Sequence, residues 1–131
     1  MPGEWLFEEI AKIDELLIGK KAEWEEKMDM ATKITAGMDD MPHGSDVTDK
    51  VANIGVELAE ISSEMDALNK RRKKLIKMLE SLPADQYGAL HRHYIRGMTW
   101  EQVAEDMNLS ESTVKRRGKE GLEMLEQMKG V

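Results

Sequence analysis

Between Thr48 and Leu82, apolar side chains recur every seven residues in two interleaved series: Val51, Leu58, Met65, Arg72 and Leu79, and Ile54, Ile61, Leu68, Leu75 and Leu82, with Arg72 the exception. Such a stripe is a coiled-coil seam, and about 34 residues at about 1.5 Å each make a helix roughly 50 Å long that must bury it against a partner. The chain supplies a candidate. From Glu4 to about Ala36, Leu6, Ile10, Ile13, Leu17, Trp24, Ala31 and Ile34 recur at helical steps. One antiparallel register sets Ile34 beside Val51, Ala31 beside Ile54, Trp24 beside Ile61, Leu17 beside Leu68, Ile10 beside Leu75 and Leu6 beside Leu79.

The charges test that register independently. It brings Glu57, Glu60 and Glu64 near Lys20, Lys21 and Lys27, and the basic run Lys70, Arg71, Arg72, Lys73, Lys74 and Lys77 alongside Glu8, Glu9, Asp14 and Glu15. Each exposed pair contributes only about 0–1 kcal/mol, but their signs favour the antiparallel orientation. The basic run has a second reading, as a further DNA contact or a localisation signal. The same contacts can form within one chain or between two, so a hairpin and an antiparallel homodimer stay open. Gly19, Lys20 and Lys21 interrupt the first pattern and predict a weak or bent middle.

Residues 37–49, GMDDMPHGSDVTD, read as a long loop, bounded at about 37–48. His43 there has no second His or Cys beside it, and Asp39, Asp40, Asp46 and Asp49 lack calcium-loop spacing, so no metal is expected. Pro83 should end the long helix, and Ala84 to Arg96 should form a third one, closed by Gly97, with Tyr87, Leu90, Tyr94 and Ile95 turned inward. His91 and His93 fall on different faces and read as surface or boundary residues.

Residues 99–125, TWEQVAEDMNLSESTVKRRGKEGLEML, carry a helix-turn-helix pattern. Thr99 caps a first helix that buries Val103, Ala104 and Met107, and Trp100 is expected as a core anchor beneath both helices rather than as a platform for base stacking. Asn108 suits the positive φ of a tight turn, Leu109 should plug the corner, and Ser110 caps a second helix. That helix would bury Val114, Leu122 and Leu125 and turn Glu111, Ser112, Lys115, Arg116 and Lys119 outward. A helix fits the major groove of DNA, its first turns approach base edges, and Lys and Arg supply donors to guanine and phosphate oxygens. The bland reading is a solvated helix of a small bundle. Arg117 stands where an apolar residue is usual, and Gly118 and Gly121 each lower helix propensity by about 1 kcal/mol, so the helix is expected to be marginal before it docks.

A net charge of −7 argues against nucleic acid only if it is evenly spread. Residues 1–83 hold 12 Lys and Arg against 18 Asp and Glu, whereas residues 84–131 hold 7 against 8. From His91 to Lys119, six basic residues (Arg92, Arg96, Lys115, Arg116, Arg117, Lys119) face four acidic ones (Glu101, Glu105, Asp106, Glu111). Exposed charges are screened beyond about 10 Å at 0.1 M salt, so a local basic face can act despite a distant acidic one. The absence of cysteine excludes disulfides, thiol catalysis and zinc fingers. No membrane-length apolar run and no signal-peptide pattern occur, which leads to an expectation of a soluble cytoplasmic protein. No nucleophile–base pair, phosphate-cradling glycine loop or metal-ligand set is recognisable, so no enzymatic activity and no cofactor are expected.

The expected fold is therefore all-α: a long antiparallel coiled-coil helical hairpin over residues 1–82, then a small helix-turn-helix bundle over residues 83–131. The run LPADQYGALHRHYIRGMTWEQVAEDMNLSESTVKRRGKEGLEML is similar to region 4 of bacterial sigma factors. The order of a long helix, MPHGSDVTDKV, a heptad helix, LP, YIRGMTWEQVAE and a final helix resembles the ArpU/RinA-type phage late-transcription regulators. That resemblance implies a phage or prophage protein that binds double-stranded DNA near late promoters, activates transcription and touches RNA polymerase. By match to the motif, Ser112, Thr113, Lys115, Arg116 and Lys119 would face DNA, with Arg117 and Gly118 departing from the usual occupants; Glu111, Arg92 and Arg96 complete the candidate set. Two other readings fit the pattern: a phage small terminase subunit, which joins a helix-turn-helix to coiled-coil helices and assembles into rings, and a protein-interaction adaptor without DNA binding.

Overall fold

The computed structural model describes residues 2–36 and 45–129. The expectations for His43, for Asp39, Asp40 and the Asp46 side chain, and for residues 37–44 of the loop lie outside the described residues. Among the described residues, five α-helices succeed one another: α1 (Trp5–Ala36), α2 (Ser45–Glu80), α3 (Ala84–Leu90), α4 (Trp100–Met107) and α5 (Glu111–Met128), with a π-helical turn, His91–Ile95, continuing α3. Among the described residues there is no strand, and no helix is long and apolar enough to cross a membrane.

Two boundaries differ from expectation. α2 begins at Ser45, inside the stretch read as loop from its Gly, Pro, Asp and Ser content. Composition misled there because Ser and Asp are also favoured in the first turn of a helix. α1 runs unbroken through Gly19, Lys20 and Lys21 for 32 residues. A single glycine costs about 1 kcal/mol, which a long helix absorbs when its neighbours pack.

By compactness the chain divides into two units, residues 13–71 and residues 1–12 with 72–131. In the first, Ile13, Ile54 and Ile61 are buried. Lys20 bonds Glu64, and Lys27 bonds Glu57 at 2.8 Å. As one partner advances by seven residues the other retreats by seven, so the helices run antiparallel, within one residue of the register expected from the apolar stripes. Both lysines are raised above their usual value, chiefly by those hydrogen bonds. A Cβ at Gly19 or Gly55 would meet nothing within 4 Å. Gly19→Ala and Gly55→Ala should therefore each stabilise this unit by roughly 0.5–1 kcal/mol through helix propensity alone. Thermal melts check this, and a lowered midpoint would show that the glycines have a structural role.

The second unit is built from two stretches of chain. Leu6, Phe7 and Ile10 of α1, Leu75 and Leu79 of α2, Leu82, Ala89 and Leu90, Val103 and Ala104 of α4, and Val114, Leu122 and Leu125 of α5 are all buried. Phe7 stacks on Tyr94 with centroids 4.4 Å apart. The Gly3 amide donates to Glu126 Oε2 at 2.8 Å, and Gly3 lies so close to the backbone of Leu122, at φ +84°, that no other residue fits. Pro83 opens α3 and bars α2 from continuing; α2 ends at Glu80, and the Ser81 hydroxyl donates to the Met78 carbonyl at 2.6 Å.

The third helix does not run to Arg96 as an α-helix. The Arg96 amide reaches back five residues to the His91 carbonyl at 3.0 Å, widening the turn. The extra residue shifts the facing of the side chains around it, so Tyr94 packs inward while Ile95, expected inside, is 37% exposed. Gly97, at φ +72°, then reverses the chain.

Candidate nucleic-acid interface

The interface rests on caps that the sequence dictates. Thr99 and Gln102 form a reciprocal capping box at the start of α4: the Gln102 amide donates to the Thr99 hydroxyl at 3.2 Å, and the Thr99 amide donates to Gln102 Oε1 at 2.9 Å. Asn108 ends the helix at φ 57°, ψ 42°, the left-handed conformation that its short polar side chain tolerates. The Asn108 amide donates to the Glu105 carbonyl and the Leu109 amide to the Ala104 carbonyl, at 3.3 and 3.0 Å, closing a Schellman turn. These backbone bonds fix the corner without a plug, and Leu109, expected to fill it, is 41% exposed. Ser110 caps α5, its hydroxyl accepting from the Thr113 amide at 3.2 Å.

Between α4 and α5 sits a core of Ala89, Val103, Ala104 and Val114, with Trp100 and Met107 packed against it. The glycines that weaken α5 as a helix are what let it pack. A Cβ at Gly118 would stand 2.6 Å from the Trp100 ring, and one at Gly121 would stand 2.7 Å from Leu90 Cδ1. Arg117 is not a misplaced core residue: its Nε donates to Asp85 Oδ2 at 3.1 Å, tying α5 to the first turn of α3.

The candidate contact residues fall into three groups. Lys115, Arg116 and Lys119 are exposed on α5 and line one groove of about 490 Å3, so they act from one surface. Glu111 and Ser112 are exposed at the start of α5, where Glu111 pairs with Lys115 at 3.0 Å; Thr113 is half-buried, its hydroxyl 2.7 Å from that of Ser110. Arg92 and Arg96 lie on the π-helical turn and just after it. Arg92 is committed to its own chain, donating to Asp106 at 2.6 Å and to the Gly88 carbonyl at 3.1 Å, whereas Arg96 is exposed. Arg92 also holds the Asp106 carboxyl below its usual range, chiefly through that hydrogen bond.

Five further residues complete the groove: Glu4, His93, Tyr94, Trp100 and Leu122. His93 stacks on Trp100 at 4.0 Å and its Nδ1 lies 2.8 Å from the Met98 carbonyl; Tyr94 lies edge-on to both rings; and the Tyr94 hydroxyl donates to Glu4 at 2.9 Å. Glu4, 90 residues from Tyr94, left no signal in the sequence. Among the described residues no three His, Asp or Glu side chains are grouped to hold a metal ion.

Burial first, and then the Glu4 bond, pushes the Tyr94 hydroxyl up to about 12 from 10.0. The contribution of this group to stability is complete below about pH 10 and is lost as pH rises through about 12. Denaturant titrations of the native chain and of Tyr94→Phe should therefore differ near neutrality and converge in that alkaline window. A difference that does not change with pH would mean that the hydroxyl titrates alike in the folded and unfolded chain.

A capped helix, a left-handed turn and a second capped helix with a cationic outer edge define a helix-turn-helix. Residues 72–125 match the family model described as Sigma-70, region 4, and this segment is a sigma region 4-like helix-turn-helix. No curated protein and no solved structure matches the chain.

Proposed function

We propose that the chain is a sequence-specific DNA-binding transcription regulator in which α5 enters the major groove. The observation that carries this reading is the joint exposure of Lys115, Arg116 and Lys119 on one surface of a helix-turn-helix within the sigma region 4-like segment. The first turns of α5 present Glu111 and Ser112 to base edges, while Arg116 is placed for guanine or phosphate. Arg92 makes two bonds within its own chain, whereas Lys115 makes a single exposed pair with Glu111 that a phosphate can replace, so Arg96, Lys115, Arg116 and Lys119 supply the phosphate contacts. Four such contacts give a log–log salt slope of about −3.6.

Fluorescence anisotropy on sites selected from a random DNA pool, repeated across a salt series, tests this. Tight binding with that slope is expected, and a flat salt response removes the reading. Arg116→Ala should weaken binding by about 1–3 kcal/mol and relax specificity at one position if it reads guanine, or weaken all sequences alike if it holds phosphate.

The finer reading is a phage or prophage late-gene activator that touches RNA polymerase and pairs with a second copy through its long helices. Leu16, Ile18 and Val56, at 43%, 64% and 58% exposure, support self-association, since large apolar groups on a two-helix hairpin gain by burial. Solution mass separates the alternatives: a dimer fits regulation, a ring of many subunits fits a small terminase subunit. An adaptor without DNA binding would not be retained on heparin at low salt.

A further inference from the structure

The groove beside α5 has a chemically mixed lining. It includes the exposed cations Arg116 and Lys119 and the Trp100–His93 stack with Tyr94 edge-on to it. Its volume of about 490 Å3 falls within the roughly 300–1,000 Å3 of small-molecule sites. A bare anion would meet the cations and leave the aromatic wall uncovered, and a neutral ring would do the reverse. A phosphate ester bearing a planar base meets both, because Arg holds phosphate with a bidentate fork, Lys holds it as a point charge, and any base can stack or lie against an aromatic edge.

We propose that this groove binds a single nucleotide unit, its phosphate on Arg116 and Lys119 and its base against Trp100 and His93. The site goes beyond the DNA-binding reading but shares two cations with it, so a nucleotide here and a duplex on α5 exclude one another. The unit has two sources, a free mononucleotide or an unpaired end of a DNA strand.

The test tracks the indole N–H signal of Trp100 in the full-length chain as GMP, AMP, inorganic phosphate and a duplex with a 5′ single-stranded overhang are added in turn. Saturable movement of Trp100 with a mononucleotide assigns the free source, and movement with the overhang but neither mononucleotide assigns the strand end. In either case inorganic phosphate should bind at least tenfold more weakly. Arg116→Gln with Lys119→Gln should weaken nucleotide binding at least tenfold while the Trp5 and Trp24 signals stay in place. The proposal is overturned if no nucleotide source moves Trp100, if phosphate binds as tightly as the nucleotide, or if saturating nucleotide fails to displace a blunt duplex. Blunt-duplex binding with no response of Trp100 to a mononucleotide or to the overhang removes this site and leaves the DNA reading intact; nucleotide binding without duplex binding does the opposite.

Discussion

Residues 83–131, produced alone, are expected to be unfolded. The helix-turn-helix lies in that segment, yet much of what it packs against does not. Leu6, Phe7 and Ile10 arrive from α1 and Leu75, Leu79 and Leu82 from α2 and its exit, all buried in the same compact unit. Burying one such side chain is worth about 1.5–3 kcal/mol, so losing six removes roughly 9–18 kcal/mol, as much as or more than the 5–15 kcal/mol by which a domain is stable. Specific bonds go as well: the Phe7–Tyr94 stack, the Glu4–Tyr94 hydrogen bond and the Gly3 amide on Glu126. Circular dichroism should show low helicity with no cooperative melt, whereas the full chain melts sharply. A well-dispersed amide spectrum from the fragment would sink this expectation and make the α1 and α2 contacts dispensable. The same argument predicts that removing residues 1–12 costs DNA binding, although every candidate contact residue remains.

The uneven legibility of the sequence has a physical cause. Periodic and local features were readable: the two apolar stripes, the Lys27–Glu57 pairing sign, the Thr99 box, the Asn108 turn and the Ser110 cap each depend on residues a few positions apart or on a repeated spacing. What escaped depends on contacts between distant segments. Gly118 and Gly121 look like helix breakers in isolation and become necessary only once Trp100 and Leu90 lie against them. Arg117 looks misplaced until Asp85 is beside it. Leu109 looks like a plug because leucine is apolar, but the backbone bonds of the turn already fix the corner. The π-helical turn has no local signature at all; one extra residue between His91 and Arg96 leaves Tyr94 half-buried and stacked on Phe7 while Ile95 turns outward. Of the candidate interface, the α5 cations were legible as an outward helical face, while the aromatic wall and Glu4 were not.

Leu90→Ala is expected to destabilise the chain by about 2–5 kcal/mol, and Gly121→Ala to be better tolerated in that background than in the native one. Leu90 is fully buried, and truncating such a leucine loses its transfer energy and leaves a cavity. Gly121→Ala alone sets two effects against each other. It gains about 1 kcal/mol of helix propensity in α5 but forces a Cβ to within 2.7 Å of Leu90 Cδ1, with Gln86 Cβ at 3.3 Å and Leu82 Cδ1 at 3.5 Å closing the way out. Overpacking of this kind costs about 1–3 kcal/mol, so the single variant should be neutral to destabilising. When residue 90 is alanine the nearest obstacle is gone, the new methyl occupies part of the cavity and the propensity gain is kept. The double variant should therefore be about 1–2 kcal/mol more stable than the sum of the singles, a coupling typical of residues in contact. Urea denaturation of the four proteins measures it. Strict additivity would mean that α5 does not approach α3 through Gly121, and with that close crossing would go the rigid placement of Lys115, Arg116 and Lys119 on one edge.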